Sequence, residues 1–157
     1  MKILIVNYDN QSDYNMVPVG ACYIAAFLRN NDYPDVTYYS QDIYHFPEEH
    51  LTQYLDENGF DVVAMGFVAG YYQHRKIIRI CEALNRSKKR PFVVLGGHGP
   101  TPIPAFYMDV TQADAVVLGE GELPFLNLIR ALDSKTPLDA VRGIAYRDAE
   151  TGEPAAT

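Results

Sequence analysis

The chain has 157 residues, 48% of them hydrophobic and 21% charged, enough for one domain with a substantial buried core. Thirteen basic residues against 20 acidic ones give a net charge of −7, which repels phosphate backbones and argues against nucleic-acid binding. No apolar run approaches the roughly 20 residues of a membrane-spanning helix, and the start lacks a small-residue cleavage site, so a cytoplasmic protein without a membrane partner is the expectation.

Lys2–Asn7 is a short, continuous apolar run, the pattern of a buried strand. Val19–Asn30 then sets Val19, Cys22, Tyr23, Ala26 and Phe27 at helical spacing. Val36–Ser40 reads as a second strand, and Glu48–Asn58 as a helix with Leu51, Tyr54 and Leu55 on one face. Asp61–Phe67 is a third strand. Tyr72–Asn85 follows as a helix facing inward through Ile77, Ile80, Cys81 and Leu84. The basic run Arg86–Arg90 falls at the end of that helix, where solvated positive charge complements the helix dipole.

Phe92–Leu95 is the fourth strand, the proline-rich stretch Thr101–Thr111 predicts a short, irregular helix, and Ala113–Leu118 is the fifth strand. Glu122–Leu132 is a helix with Phe125, Leu126, Ile129 and Leu132 inward, and Gly143–Arg147 a sixth, shorter strand. The tail Ala149–Thr157 is small and polar and reads as a linker or frayed end.

Strands alternating with helices imply an α/β fold. The expectation is a doubly wound, flavodoxin-like (Rossmann-like) parallel sheet of five strands, order 2-1-3-4-5, flanked by helices, with a short extra strand near the C-terminus. Residues 1–148 form the domain and 149–157 the linker or tail. Ligands of such sheets bind beyond the carboxyl ends of the strands. The loops that matter are therefore Tyr8–Pro18, Val68–Tyr71, Gly96–Pro102 and Gly119–Glu122.

Three familiar ligand classes fail there. The loop after the first strand has no G-x-G-x-x-G for a dinucleotide and no Ser/Thr-rich glycine turn for a flavin phosphate. A phospho-receiver needs an aspartate ending the third strand, where Met65-Gly66-Phe67 stands instead. Cys22 and Cys81 lie in helical patterns with no C-x-x-C spacing, so this chain has no framework for zinc or an iron–sulfur cluster. His45, His50 and His74 have no partner at metal spacing. No nucleophile–base pair is visible, and no catalytic residue is expected.

What remains is glycine in a particular arrangement. Gly96-Gly97 directly after a strand lets a ligand lie against bare backbone, and Gly119-Glu120-Gly121-Glu122 does the same one strand over before opening a helix. Glu120 reads equally as a helix-start acid or a ligand contact, Glu122 as a helix-start acid before a contact, and Thr101 equally as a helix cap or a ligand contact. His98, alone at a strand end, reads as a surface or capping residue before a metal ligand. Tyr14, Tyr71 and Tyr72 are the tyrosines at the ligand edge.

These residues carry a resemblance. "VVLGGHGPTPIP", then "ADAVVLGEGELPFLNLIRAL" and "VRGIAYRD", resembles the N-terminal cobalamin-binding domain of cobalamin-dependent radical SAM enzymes, and "VPVGACYIAAFLRNN" looks like that family's Pro-x-Gly-led first helix. The likeness runs from Lys2 to Asp148. It implies a domain gripping a corrinoid, with the nucleotide tail beside the Gly-Gly strand end. A radical SAM domain would follow in cis and hold S-adenosylmethionine and an iron–sulfur cluster, in a methyltransferase or related enzyme of which this chain is an excised domain or a stand-alone relative.

Two departures matter. Methionine-synthase-type domains place Asp-x-His-x-x-Gly after the first strand, whereas Tyr8–Gly20 contains no histidine. The resemblance therefore implies base-off binding without histidine ligation, with water, an open position, or Tyr14, Asn15 or Met16 facing cobalt. Gly66 stands where the family often has serine, so hydrogen bonds to the tail would come from backbone around Val68 and Tyr71. The implied contact set is completed by Pro18, Gly20, Gly96, Gly97, His98, Thr101, Gly119, Glu120 and Gly121. The competing expectation is a degenerate Rossmann-like binding or interaction domain that has lost the corrinoid.

Overall fold

The computed structural model describes residues 1–11 and 18–157, and its described strands form a single sheet. In chain order the elements are β1 (Ile3–Asn7), α1 (Val19–Arg29), β2 (Val36–Ser40), α2 (Gln41–Tyr44), α3 (Glu48–Asn58), β3 (Val62–Gly66), α4 (Tyr71–Asn85), β4 (Phe92–Gly96), α5 (Pro104–Thr111), β5 (Ala115–Val117), α6 (Glu122–Ser134), β6 (Ile144–Arg147) and β7 (Pro154–Ala156). A 3₁₀ turn, Leu138–Ala140, links α6 to β6. The strand order is β2-β1-β3-β4-β5-β6-β7. The first five are parallel, as the alternation of strand and helix requires, and β6 and β7 are antiparallel additions.

Successive strand residues point to opposite faces, and the helices sort accordingly. Leu4, Val6, Val63, Met65, Val93, Leu95 and Val116 pack with Leu51 and Leu55 of α3, Ile77, Ile80, Cys81 and Leu84 of α4, and Tyr107 and Met108 of α5. On the other face Ile3, Ile5, Val62, Val94, Ala115 and Val117 pack with Ala25 and Leu28 of α1 and with Phe125, Leu126 and Ile129 of α6. Both faces are covered, which is why the parallel strands read as unbroken apolar runs.

Several sequence expectations are corrected. The inward stripe of α1 is Ala25 and Leu28, with Ala21 and Ile24 beside them, while Val19 and Tyr23 are 77% and 62% exposed. Almost every position of this helix is apolar, so two stripes fit its periodicity and only the sheet selects one. The helix after β4 is regular, opening on Pro104 at a first-turn position where the missing N–H is no loss. The short α2 was not foreseen. Its start is capped by Ser40, whose Oγ accepts from the Ile43 N–H at 3.3 Å.

The basic run after α4 is not merely solvated. Asp56 accepts from the Ser87 hydroxyl and the Lys88 N–H, each at 2.8 Å, and Arg90 grips Asp114 at 2.8 Å. The tail does not trail free over its whole length: Pro154–Ala156 pairs with β6, and the Thr157 N–H donates to the Ile144 carbonyl. Among the described residues no helix is long and apolar enough to cross a membrane.

Candidate cofactor-binding site

On the sheet face that carries α1 and α6, side chains shrink toward the carboxyl edge. Along β3 the residues on this face are Val62, Ala64 and Gly66, and along β4 they are Phe92, Val94 and Gly96. The two strands run in register, so Gly66 lies opposite Gly96 and the two bare positions coincide. A cavity of about 520 Å³ opens above them, a volume ordinary for a small-molecule site. Ile5, Ala64, Val94 and Val117 floor it, and Ala21 and Ile24 of α1 face Phe125 of α6 across it.

The glycines divide by what surrounds them. A Cβ built on Gly66 would come no nearer than 3.7 Å to the Gly96 carbonyl oxygen, and one on Gly96 would lie 3.8 Å from the Val117 Cβ. Neither meets a steric bar, so these two glycines leave room in the cavity. Gly97 is different: its φ is +89°, and a Cβ would sit 2.8 Å from the Phe67 carbonyl oxygen and 3.0 Å from the Phe67 nitrogen. At Gly99 it would run into the Phe67 ring at 2.6 Å. Gly97 and Gly99 therefore let the strand exit fold tightly around Phe67. Two hydrogen bonds lock that turn, Phe67 N–H to the Gly96 carbonyl and Gly99 N–H to the Phe67 carbonyl.

Of the residues singled out in the sequence, Pro18, Gly20, Gly66, Val68, Gly96, Gly97, His98, Gly119, Glu120 and Gly121 line this cavity. Thr101 does not. It neither caps α5, whose N-cap is Ile103, nor reaches the cavity, because its hydroxyl donates to the Gly97 carbonyl at 2.8 Å. Tyr71 also lies outside, 78% exposed with the Arg75 guanidinium over its ring. Tyr14, Asn15 and Met16 lie outside the described residues. Sequence reasoning missed the floor residues and the helix residues Ala21, Ile24 and Phe125, and it left the first-turn Glu122 out of the contact set, although all of them line the cavity. The signal for the floor was present, since Ala64-x-Gly66 and Val94-x-Gly96 shrink at period two on neighbouring strands.

A polar wall closes the β1 side. Asn7, Tyr8 and Asn10 line the cavity there. Burial raises the Tyr8 phenol, opposed by a hydrogen bond to the Val68 backbone and reinforced by the Asp42 charge, so the ring stays neutral. Among the described residues no group of three His, Cys, Asp or Glu is placed to hold a metal ion. Burial pushes the Cys81 thiol up to about 12, which makes it an inert core residue.

A family model for the B12 binding domain matches residues 8–129, a span that includes Tyr8 and Asn10 of the polar wall, Ala64, Val94 and Val117 of the floor, and the first turns of α6. The chain belongs to the B12-binding domain family. This B12-binding domain is 28% identical over 137 residues to the anaerobic magnesium-protoporphyrin IX monomethyl ester cyclase of Rubrivivax gelatinosus, an alignment covering 84% of the chain and 24% of that protein. It is 28% identical over 156 residues to an uncharacterized methyltransferase of Pyrococcus horikoshii, covering 94% of the chain and 33% of the relative. Among solved structures it superposes on the cobalamin-dependent S-adenosylmethionine radical enzyme OxsB, bound to aqua-cobalamin and S-adenosylmethionine. That match has a TM-score of 0.79 at 17% identity, over 99% of this chain and 22% of the other. The chain thus spans a third or less of the length of each.

The residues of this B12-binding domain suit a corrinoid. The cradle at Gly66 and Gly96 is one that side chains would fill, and its floor is apolar. Its rim carries Asn7, Asn10, Glu120 and Glu122, groups able to hydrogen-bond the amides that fringe a corrin ring.

Proposed function

We propose that this domain binds cobalamin base-off, with the nucleotide tail in the slot between the β3–β4 strand ends and helices α1 and α6, as a module of a radical SAM enzyme that transfers methyl groups. The observation that carries the reading is the depth of the slot. It is lined past the bare Gly66–Gly96 pair by Ile5, Ala64 and Val94, two residues back along the strands, which suits an elongated appendage. A tail held there is withdrawn from the metal, and Tyr8–Gly20 offers no histidine to replace it.

Within the domain, Gly66 and Gly96 make room, the apolar floor excludes water, and Asn7, Asn10 and Glu120 orient the ligand's amides at the rim. The bound group supplies a cobalt centre able to accept and pass on a one-carbon unit. Nothing in this chain is assigned to proton transfer. S-adenosylmethionine and an iron–sulfur cluster belong, on this reading, to a radical SAM domain in cis, as the greater length of the relatives supports. The surface supports it too. Of the nine exposed large hydrophobics among the described residues, eight (Val19, Tyr23, Tyr44, Val68, Tyr71, Ile103, Phe106 and Leu123) lie in loops after strands or in the helical turns that begin there. Exposed apolar side chains gathered at the carboxyl end of the sheet are the kind of surface that a second domain covers.

The test is a titration of the protein with hydroxocobalamin, followed by removal of excess ligand and a visible spectrum. Retained colour is expected. After reduction to Co(II), the electron paramagnetic resonance spectrum should show no splitting from an axial nitrogen. A colourless protein would overturn the binding, and nitrogen splitting would overturn its base-off, histidine-free form.

A further inference from the structure

The wall on the β1 side is held by an arrangement that the cavity itself does not explain. Three consecutive polar residues at the end of β2, Ser40, Gln41 and Asp42, are 6%, 1% and 1% exposed. Polar side chains are buried at a penalty unless they are paired; Ser40 caps α2 and accepts from the Asn7 side chain at 3.4 Å, while Gln41 and Asp42 are spent on the neighbouring loop. The Asp42 Oδ1 accepts the Asn10 N–H at 2.7 Å, and the Gln41 Oε1 accepts the Asp9 N–H at 3.3 Å. Gln41 is itself fixed, its Nε2 donating to the Phe46 carbonyl at 2.6 Å. From the opposite side, the Tyr72 hydroxyl donates to the Asp9 carbonyl at 2.8 Å. Two successive backbone N–H groups and the carbonyl between them are thus each gripped by a side chain from another element, α2 or α4.

A carboxylate is a strong acceptor for a backbone N–H, and the short Asn10–Asp42 bond is of that kind. The choice is a poor one for stability alone. The Asp42 Oδ2 is buried with no hydrogen-bond partner among the described residues, and a half-satisfied buried carboxylate costs more than an apolar residue would. What the arrangement achieves is a fixed height for residues 8–10, two of which, Tyr8 and Asn10, face the cavity.

We infer that Asp42, assisted by Gln41 and Tyr72, is a positioning residue for cofactor binding: it touches no ligand, and it holds the Tyr8–Asn10 wall in the conformation that receives the corrinoid. This rests on the cobalamin reading above. Sites of this sort depend on supporting residues that lock the contacting ones in place.

The experiment compares wild type with Asp42→Leu, Asp42→Asn and Tyr72→Phe. It measures amide hydrogen exchange at Asp9 and Asn10 without cofactor, affinity for hydroxocobalamin by visible titration, and the urea midpoint. Asp42→Leu should speed Asn10 exchange and weaken cobalamin about tenfold or more. Asp42→Asn, which keeps one acceptor oxygen, should stay within about threefold of wild type on both. Tyr72→Phe, the safeguard should Asp42→Leu fail to fold, should weaken cobalamin severalfold with an unchanged urea midpoint. Folded Asp42→Leu or Tyr72→Phe protein that binds as wild type does would overturn the positioning role alone. An Asn10 amide unprotected in wild type would overturn it as well. Wild type that takes up no cobalamin would instead overturn the functional reading, and the role with it.

Discussion

Two glycines adjacent in the chain, Gly96 and Gly97, serve unlike purposes, and substitution should separate them. A Cβ at Gly66 or Gly96 meets no backbone clash, so a valine there is expected to grow into the slot. Either variant should keep its melting temperature within a few degrees while cobalamin affinity, measured by visible titration, falls more than tenfold, roughly 1.4 kcal/mol or above. Alanine at Gly97 demands a left-handed residue and a Cβ 2.8 Å from the Phe67 carbonyl oxygen. It should destabilise the fold by about 1–3 kcal/mol in urea denaturation. If Gly97→Ala proved as stable as wild type, the turn around Phe67 would not be what requires glycine there. The doublet was legible in the sequence as a place where side chains do not fit. Which glycine opens the cavity and which clears Phe67 was not, because the obstructing atoms come from the loop after another strand.

At the scale of elements, α3 and α4 are joined through a buried ion pair. The Lys76 ammonium, 7% exposed, lies 3.0 Å from Glu48 Oε1, with Arg79 at 3.8 Å. Burial alone would raise the Glu48 carboxyl, and Lys76, the helix-start backbone and Arg79 together outweigh it and lower it. Removing one partner leaves the other charge buried. Lys76→Met should therefore lower stability by about 2–3 kcal/mol, tempered by the 19% exposure of Glu48. Lys76→Met with Glu48→Leu should recover most of the loss in a urea double-mutant cycle, and failure to recover would mean that the pair does not act as a unit. This pairing was invisible in the sequence, where Lys76 occupies an ordinary helical position. So was the inward face of α1. Periodicity identifies a helix, but when both stripes are apolar only contact with the sheet chooses between them. The strands were readable nearly to the residue, because parallel strands covered on both faces cannot help being continuous apolar runs.

For the whole molecule, the titration of its carboxylates gives an expected acid profile. The Lys2 backbone N–H, with Lys89 nearby, holds Asp61 below the ordinary carboxylate range, and the Ser87 hydroxyl and Lys88 N–H do the same for Asp56. Glu48 is lowered as well. Groups whose folded pKa lies below the unfolded one stabilise fully above the unfolded value and lose that contribution as pH falls through the folded one. The urea midpoint should hold steady from about pH 7 to 5 and fall below about pH 4, where free carboxylates titrate. A midpoint that rises on acidification would contradict these assignments. The fold order β2-β1-β3-β4-β5 followed from the alternation of periodicities, whereas the pairing of β7 did not, since Pro154–Ala156 carries no pattern that distinguishes three strand residues from coil.

The graded side chains of β3 and β4 divide each strand by function. On the face that carries α1 and α6, the amino-terminal half, with Val62 and Phe92, fastens the sheet to its helices, while the carboxyl ends at Gly66 and Gly96 present no side chain; on the other face Met65 and Leu95 stay packed in the core. A strand advances about 3.3 Å per residue, so one step along this face is about 6.6 Å. Bulk added at 64 or 94 would shorten the slot by about that length without disturbing strand register. On the proposed reading the sheet works as a ruler, with Ala64 and Val94 setting the length of appendage that the slot admits.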